Sequence, residues 1–86
     1  MKQESSYFEG QEPQLLYIAK RLKDATELEA LLTEAGVDYG VEADEYEGGV
    51  VFRRTRVGAF FYVLPEVREQ AAQVMLERGF VPSRVE

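Results

Sequence analysis

The residues best suited to chemistry are two groups of cations in an otherwise acidic chain. Lys20, Arg21 and Lys23 precede a helical pattern, and Arg53, Arg54 and Arg56 lie in a strand-like stretch. Guanidinium forks and the unpaired N–H groups of a helix N-terminus both point at anions, so Lys20, Arg21, Arg54 and Arg56 are candidate ligands of a carboxylate or phosphate. The competing arrangement is a cross-strand ladder in which Glu42, Asp44 and Glu45 neutralise the arginines across a hairpin. With Glu47, those acids also suggest a hard cation, but alternation along a strand sends neighbours to opposite faces. No loop of spaced Asp and Asn ligands is present either, so the run reads as a solvated hairpin and no metal is expected. Tyr39, Tyr46 and Tyr62 can stack on a base or cofactor, yet aromatics at alternating strand positions are far more often packing residues.

Other chemistries are excluded by what the chain lacks. It has no Cys and no His, which removes disulfides, thiolate nucleophiles, thiolate metal sites and the usual general base together. Catalysis would have to rest on carboxylates, Lys, Tyr or Ser, and no spacing assembles them, so a non-catalytic domain without a cofactor is expected. Sixteen acidic against ten basic residues give a net charge of −6, which repels nucleic acid and anionic membranes. No phosphate-cradling glycine motif occurs, and Gly48-Gly49 is too short to serve as one. The stretch from Val50 to Arg56 carries charge without the aromatic signature of an RNA-recognition strand. The opening residues hold no apolar signal core, and no apolar run is long enough to span a bilayer, so the expected location is cytoplasmic.

What positions these residues is a small α+β domain. At 86 residues with 45% hydrophobic and 12% aromatic content, the chain supports one core and no more. Residues 1–13 are polar, with Tyr7 and Phe8 as their only apolar pair, and read as a flexible lead to a single domain over 14–86. Residues 15–19 are apolar on both alternating faces and predict a strand covered on two sides. Asp24 offers an N-cap and Glu27 its capping-box partner, ahead of Leu28, Leu31, Leu32 and Ala35 at helical spacing. Gly36 then supplies a left-handed cap and Val37 its apolar contact, so the spacing predicts a helix over 25–35. Residues 38–46 alternate Tyr39, Val41 and Ala43 with polar neighbours, Gly48-Gly49 offers a hairpin turn, and 50–56 return as the partner strand.

Gly58 then predicts a bulge, with 59–64 continuing as an apolar strand that pairs beside the first. Pro65 suits the first turn of a second helix whose stripe is Val67, Ala71, Val74 and Met75, closed by Gly79. Phe80 and Val81 offer a brief final strand. The order is the split βαβ pattern of a ferredoxin-like sandwich, with both helices on one face of an antiparallel sheet. The opposite face should be polar but is not: strict alternation sets Leu16 and Ile18 against Leu15, Tyr17 and Ala19, and Phe60, Tyr62 and Leu64 against Ala59, Phe61 and Val63. Two covers are open: a second copy, making the domain a homodimer or a partner-binding module, or the N-terminal segment with Tyr7 and Phe8 folded back.

The stretches Tyr17-Ile18-Ala19-Lys20-Arg21, the helix from Ala25 through Glu34-Ala35-Gly36-Val37-Asp38, and Phe61-Tyr62-Val63-Leu64-Pro65-Glu66-Val67-Arg68-Glu69-Gln70-Ala71 resemble a family of short bacterial domains described as prokaryotic signal-transducing proteins. That family is similar in outline to the PII regulators. The resemblance spans Leu15 to Arg78 and implies a ferredoxin-like fold and a part in signal transduction. It brings no catalytic residue, and the motifs of PII-type nucleotide sites are not present.

Overall fold

The computed structural model describes residues 1–48 and 54–83, with the backbone alone for Glu47, Gly48 and Arg54. The elements are β1 (Gln14–Ala19), α1 (Leu22–Glu34), β2 (Gly40–Gly48), β3 (Arg54–Val63) and α2 (Pro65–Glu77), preceded by a 3-10 turn over Ser5–Phe8. The strands form an antiparallel sheet in the order β1-β3-β2. This is the βαββα order of a ferredoxin-like α+β sandwich. The hairpin turn predicted at Gly48-Gly49 falls largely on residues outside those described.

Both helices end as their glycines dictate. Gly36 has φ +74°, and the Val37 N–H donates to Leu32 O at 2.9 Å, so Val37 turns inward and is fully buried. Gly79 has φ +84°, and the Phe80 N–H donates to Met75 O at 2.9 Å, seating Phe80 in the core. The starts differ from expectation. α1 begins at Leu22, three residues before the predicted position, with Arg21 as N-cap and no side-chain cap bond. Asp24 lies in the first turn, where its carboxylate takes the Arg21 Nε donor at 3.2 Å, so the capping box is replaced by a charge at the positive end of the helix.

The core is the layer between the helices and one sheet face. Ala25, Leu28 and Leu32 of α1 and Ala71 and Met75 of α2 pack on Leu16, Ala19, Tyr39, Phe61 and Val63. Tyr39 and Phe61 stack with ring centroids 5.8 Å apart. Each of these large side chains buried against its neighbours contributes about 1.5–3 kcal/mol, which is why a single helix-covered face can hold so short a chain.

The bulge lies elsewhere than predicted. Gly58 keeps regular register opposite Asp44, whereas the shift occurs in β1 between Leu15 and Tyr17. One extra residue there lets Leu16 join Tyr17 and Ala19 on the helix side, leaving Leu15 and Ile18 on the other side, opposite Tyr62 and Phe60. Leu16 therefore belongs to the core and not to the open face, and so does Leu64, buried at the N-cap of α2. Gly58 serves a different end: a Cβ there would stand 2.9 Å from Tyr46 Cε1 and 3.1 Å from Ala19 O, so the missing side chain is what lets the Tyr46 ring lie across the sheet.

β1 is an edge strand in the described sheet, not a central one, because the expected final strand does not form. Residues 80–83 instead make one contact of that kind, the Ser83 N–H donating to Leu16 O at 2.8 Å. Arg68 of α2 does the rest: Nη1 donates to Leu15 O at 3.2 Å, and Nη2 donates to Ser83 O. A guanidinium thus stands in for ladder bonds that a fourth strand would have supplied.

The open sheet face as candidate functional site

Ladder alternation places Leu15, Ile18, Phe60, Tyr62, Gly40, Glu42, Asp44, Tyr46, Gly58 and Arg56 on the face away from the helices. Leu15, Ile18, Phe60, Tyr62 and Tyr46 are half-buried, while Glu42, Asp44 and Arg56 are exposed. The face is thus an apolar patch bordered by acids along β2 and by cations at the hairpin end. Tyr62 shows that polarity: its hydroxyl pKa is raised, first by burial and then by the charges of Glu42 and Asp44.

The four predicted anion ligands do not form one cluster. Lys20 Nζ stands over the Tyr46 ring, 5.2 Å from its centroid, and Arg56 is the direct cross-strand partner of Tyr46, so Lys20 and Arg56 border one aromatic ring on the open face. Arg21 is turned to Asp24 at the start of α1. Arg54 pairs with Gly48 in the ladder, and Arg53 lies outside the described residues. The acids of β2 do not face the arginines either, since Glu42 opposes Phe60, Asp44 opposes Gly58 and Glu45 opposes Val57. Among the described residues the ion pairs are those of Arg21 with Asp24, Lys2 with Glu29 and the Met1 amine with Asp38.

The N-terminal segment covers one end of the face. Tyr39 N–H donates to Met1 O at 3.1 Å and its own carbonyl accepts the Gln3 N–H at 2.7 Å, so residues 1–3 lie parallel beside the start of β2. Asp38 holds the segment in place, accepting Gln3 Nε2 at 3.1 Å and the Tyr7 hydroxyl at 3.3 Å. The chain then turns through Ser5–Phe8 and lays the Phe8 ring on Gly40, where a Cβ would stand 2.6 Å from Phe8 Cε2. A groove of about 1130 Å³ remains between this segment and the sheet, with Phe8, Pro13 and Tyr62 as apolar lining, Glu4, Glu9 and Glu42 as acids, and Lys2, which pairs with Glu29, as the one cation of its lining among the described residues. Leu15, Ile18 and Phe60 line no part of it.

Sequence reasoning missed Gly40, although a glycine inside an alternating strand is itself a sign of close approach by another group. It also missed Arg68, which no local pattern marks, since its partners are backbone oxygens 53 and 15 residues away. Among the described residues no group of His, Cys, Asp and Glu is arranged to hold a metal ion, and no helix is long and apolar enough to cross a membrane. No family model, curated protein or solved structure matches the chain.

Proposed function

We propose that the domain is a non-catalytic regulatory or interaction module that self-associates through its open sheet face. The observation that carries this reading is the half-buried apolar patch of Leu15, Ile18 and Phe60 on the face away from the helices, which lies outside the lining of the N-terminal groove. Its borders favour a second copy as the cover. Lys20 follows the last β1 residue, Ala19, which pairs with Ala59, and Asp44 pairs with Gly58 from the other side, so opposite charges flank the central strand near one level. A two-fold axis running along β3 brings Lys20 of each copy over Asp44 of the other while Phe60 packs against Phe60. Sheets stacked about 10 Å apart leave room for a lysine to span that gap. The resemblance to signal-transducing domains accords with a part played by association.

The test is solution mass by light scattering, with twice the 9.8 kDa of the chain as the expected result. Phe60→Glu should give a folded monomer. Lys20→Glu and Asp44→Lys should each dissociate the dimer, and mixing the two variants should restore it, because in the mixed pair position 20 of each copy again faces a position 44 of opposite charge. A monomeric wild-type mass at tens of micromolar refutes the reading.

A second reading, a small-anion or nucleotide sensor, is favoured by Lys20 and Arg56 bordering the Tyr46 ring. A thermal-shift panel of phosphates and nucleotides separates the two, since ligand at about a hundred times its Kd adds about 2.7 kcal/mol of stability. Absence of a shift removes this alternative and leaves the self-association reading intact.

A further inference from the structure

The backbone bonds of Tyr39 fix the orientation of the whole outer edge of β2. Its N–H and C=O both point away from β3, to Met1 O and the Gln3 N–H. In an antiparallel ladder the groups of alternate residues point the same way, so those of Val41, Ala43 and Glu45 also point outward, while Gly40, Glu42 and Asp44 bond to β3. The Glu45 N–H is closed off by its neighbour, donating to Asp44 Oδ1 at 2.8 Å. Val41 and Ala43 are different: among the described residues nothing bonds their outward N–H and C=O groups. The edge is therefore occupied at Tyr39, blocked at Glu45, and free for two rungs between.

We infer that this gap is a docking edge for an extended, basic segment of another protein, which adds as a short strand against Val41 and Ala43. Two rungs offer four backbone hydrogen bonds to alternate residues of an incoming strand. The side chains between those residues would enter the groove bounded by Phe8, Tyr62, Glu42, Glu4 and Glu9. Aromatic lining with three carboxylates, against one lysine, Lys2, already paired with Glu29, fits a side chain with an apolar stem and a cationic head, that is, Lys or Arg. Charge argues against a second copy here, because pairing β2 with β2 would set Glu42, Asp44 and Glu45 against their own images. Edge acids also discourage indiscriminate strand addition, and the same acids select a basic partner from among strands that would otherwise compete. The free rungs point along the plane of the sheet, and Leu15, Ile18 and Phe60 line no part of the groove, so this inference does not rest on self-association.

The probe is a fluorescein-labelled peptide of alternating lysine and valine, followed by anisotropy on the full chain. Saturable micromolar binding that weakens as salt is raised is expected. Ala43→Pro is the decisive variant. Its N–H makes no bond to β3 and its side chain is exposed, so proline is tolerated at this edge, yet affinity should fall at least about tenfold. A peptide N-methylated on alternate amides should fail on the wild-type chain, which reads the same bonds should Ala43→Pro not fold. Glu42→Lys should weaken the basic peptide. Ile18→Glu, in the apolar patch but on β1, two strands from Glu42, should bind as the wild type does, keeping this result apart from that for self-association. Equal affinity for an alternating glutamate and valine peptide, unchanged affinity in folded Ala43→Pro, or no binding would overturn the inference.

Discussion

Replacing Gly40 by alanine tests whether the N-terminal segment is seated on the sheet, and the outcome depends in sign on one aromatic ring. Gly40 is not held at positive φ, so alanine suits its backbone, and such a change in a compatible conformation stabilises by about 0.4–1 kcal/mol through the unfolded chain. Against that, the new Cβ would stand 2.6 Å from Phe8 Cε2 and 3.3 Å from Cζ, so the ring must leave its seat. Full burial of a phenylalanine is worth about 1.5–3 kcal/mol, and Phe8 is only half-buried, so its release costs about 0.8–1.5 kcal/mol. The net effect of Gly40→Ala is destabilisation by about 0.5 kcal/mol. In a Phe8→Ala background the obstruction is gone, and Gly40→Ala should stabilise by about 0.5 kcal/mol, giving a coupling of about 1 kcal/mol between the sites. Urea denaturation of the four proteins measures this, and in a domain of this size about 1 kcal/mol moves Tm by about 4–8 °C. If Gly40→Ala has the same effect with and without Phe8, the ring does not rest on Gly40.

Further outcomes follow from other contacts. Arg68→Ala removes the donors to Leu15 O and Ser83 O and should cost about 1.5–3 kcal/mol, with hydrogen exchange of the Ser83 amide rising toward that of a free chain. Arg68→Lys should recover only part of this loss, because one ammonium lacks the fork that reaches both oxygens. Alkaline pH should destabilise the fold through Tyr39, whose hydroxyl lies 3.3 Å from both Thr33 Oγ1 and Glu29 O, and whose pKa is raised chiefly by burial. A raised folded pKa means that the unfolded chain releases its proton first. The stability is therefore complete below about pH 10 and falls as pH climbs through and beyond it. Tyr39→Phe should flatten that decline in pH-dependent thermal melts while lowering stability at neutral pH by about 1 kcal/mol, and an unchanged alkaline slope would count against this account. For association, the mixing of Lys20→Glu with Asp44→Lys is the most demanding outcome, since neither variant alone should dimerise.

Local chemistry in the sequence determined much of this molecule. Gly36 followed by Val37 and Gly79 followed by Phe80 specify two helix ends, because positive φ and an inward apolar residue are demands of the adjoining turn alone. Alternation in β3 sorted its residues into two sets without specifying which one the helices cover, and strand order followed from the handedness of the crossovers. The candidate site was legible only in part: a second apolar sheet face was foreseeable because both alternating sets of 15–19 and 59–64 are apolar, whereas its membership was not. Leu16 changed sides because a bulge in β1 is a long-range outcome, settled by how β1 meets β3 and by the Ser83 N–H that takes the Leu16 carbonyl. The four cations looked equivalent along the chain, yet Asp24 draws Arg21 to the helix start while Tyr46, lying over Gly58, gathers Lys20 and Arg56. Phe8 on Gly40 and Arg68 on Leu15 and Ser83 are likewise meetings of residues distant in the chain. Sequence thus set what each segment does within its own turns, and tertiary structure decided which segments meet, because a contact across many residues depends on the position of every element between them.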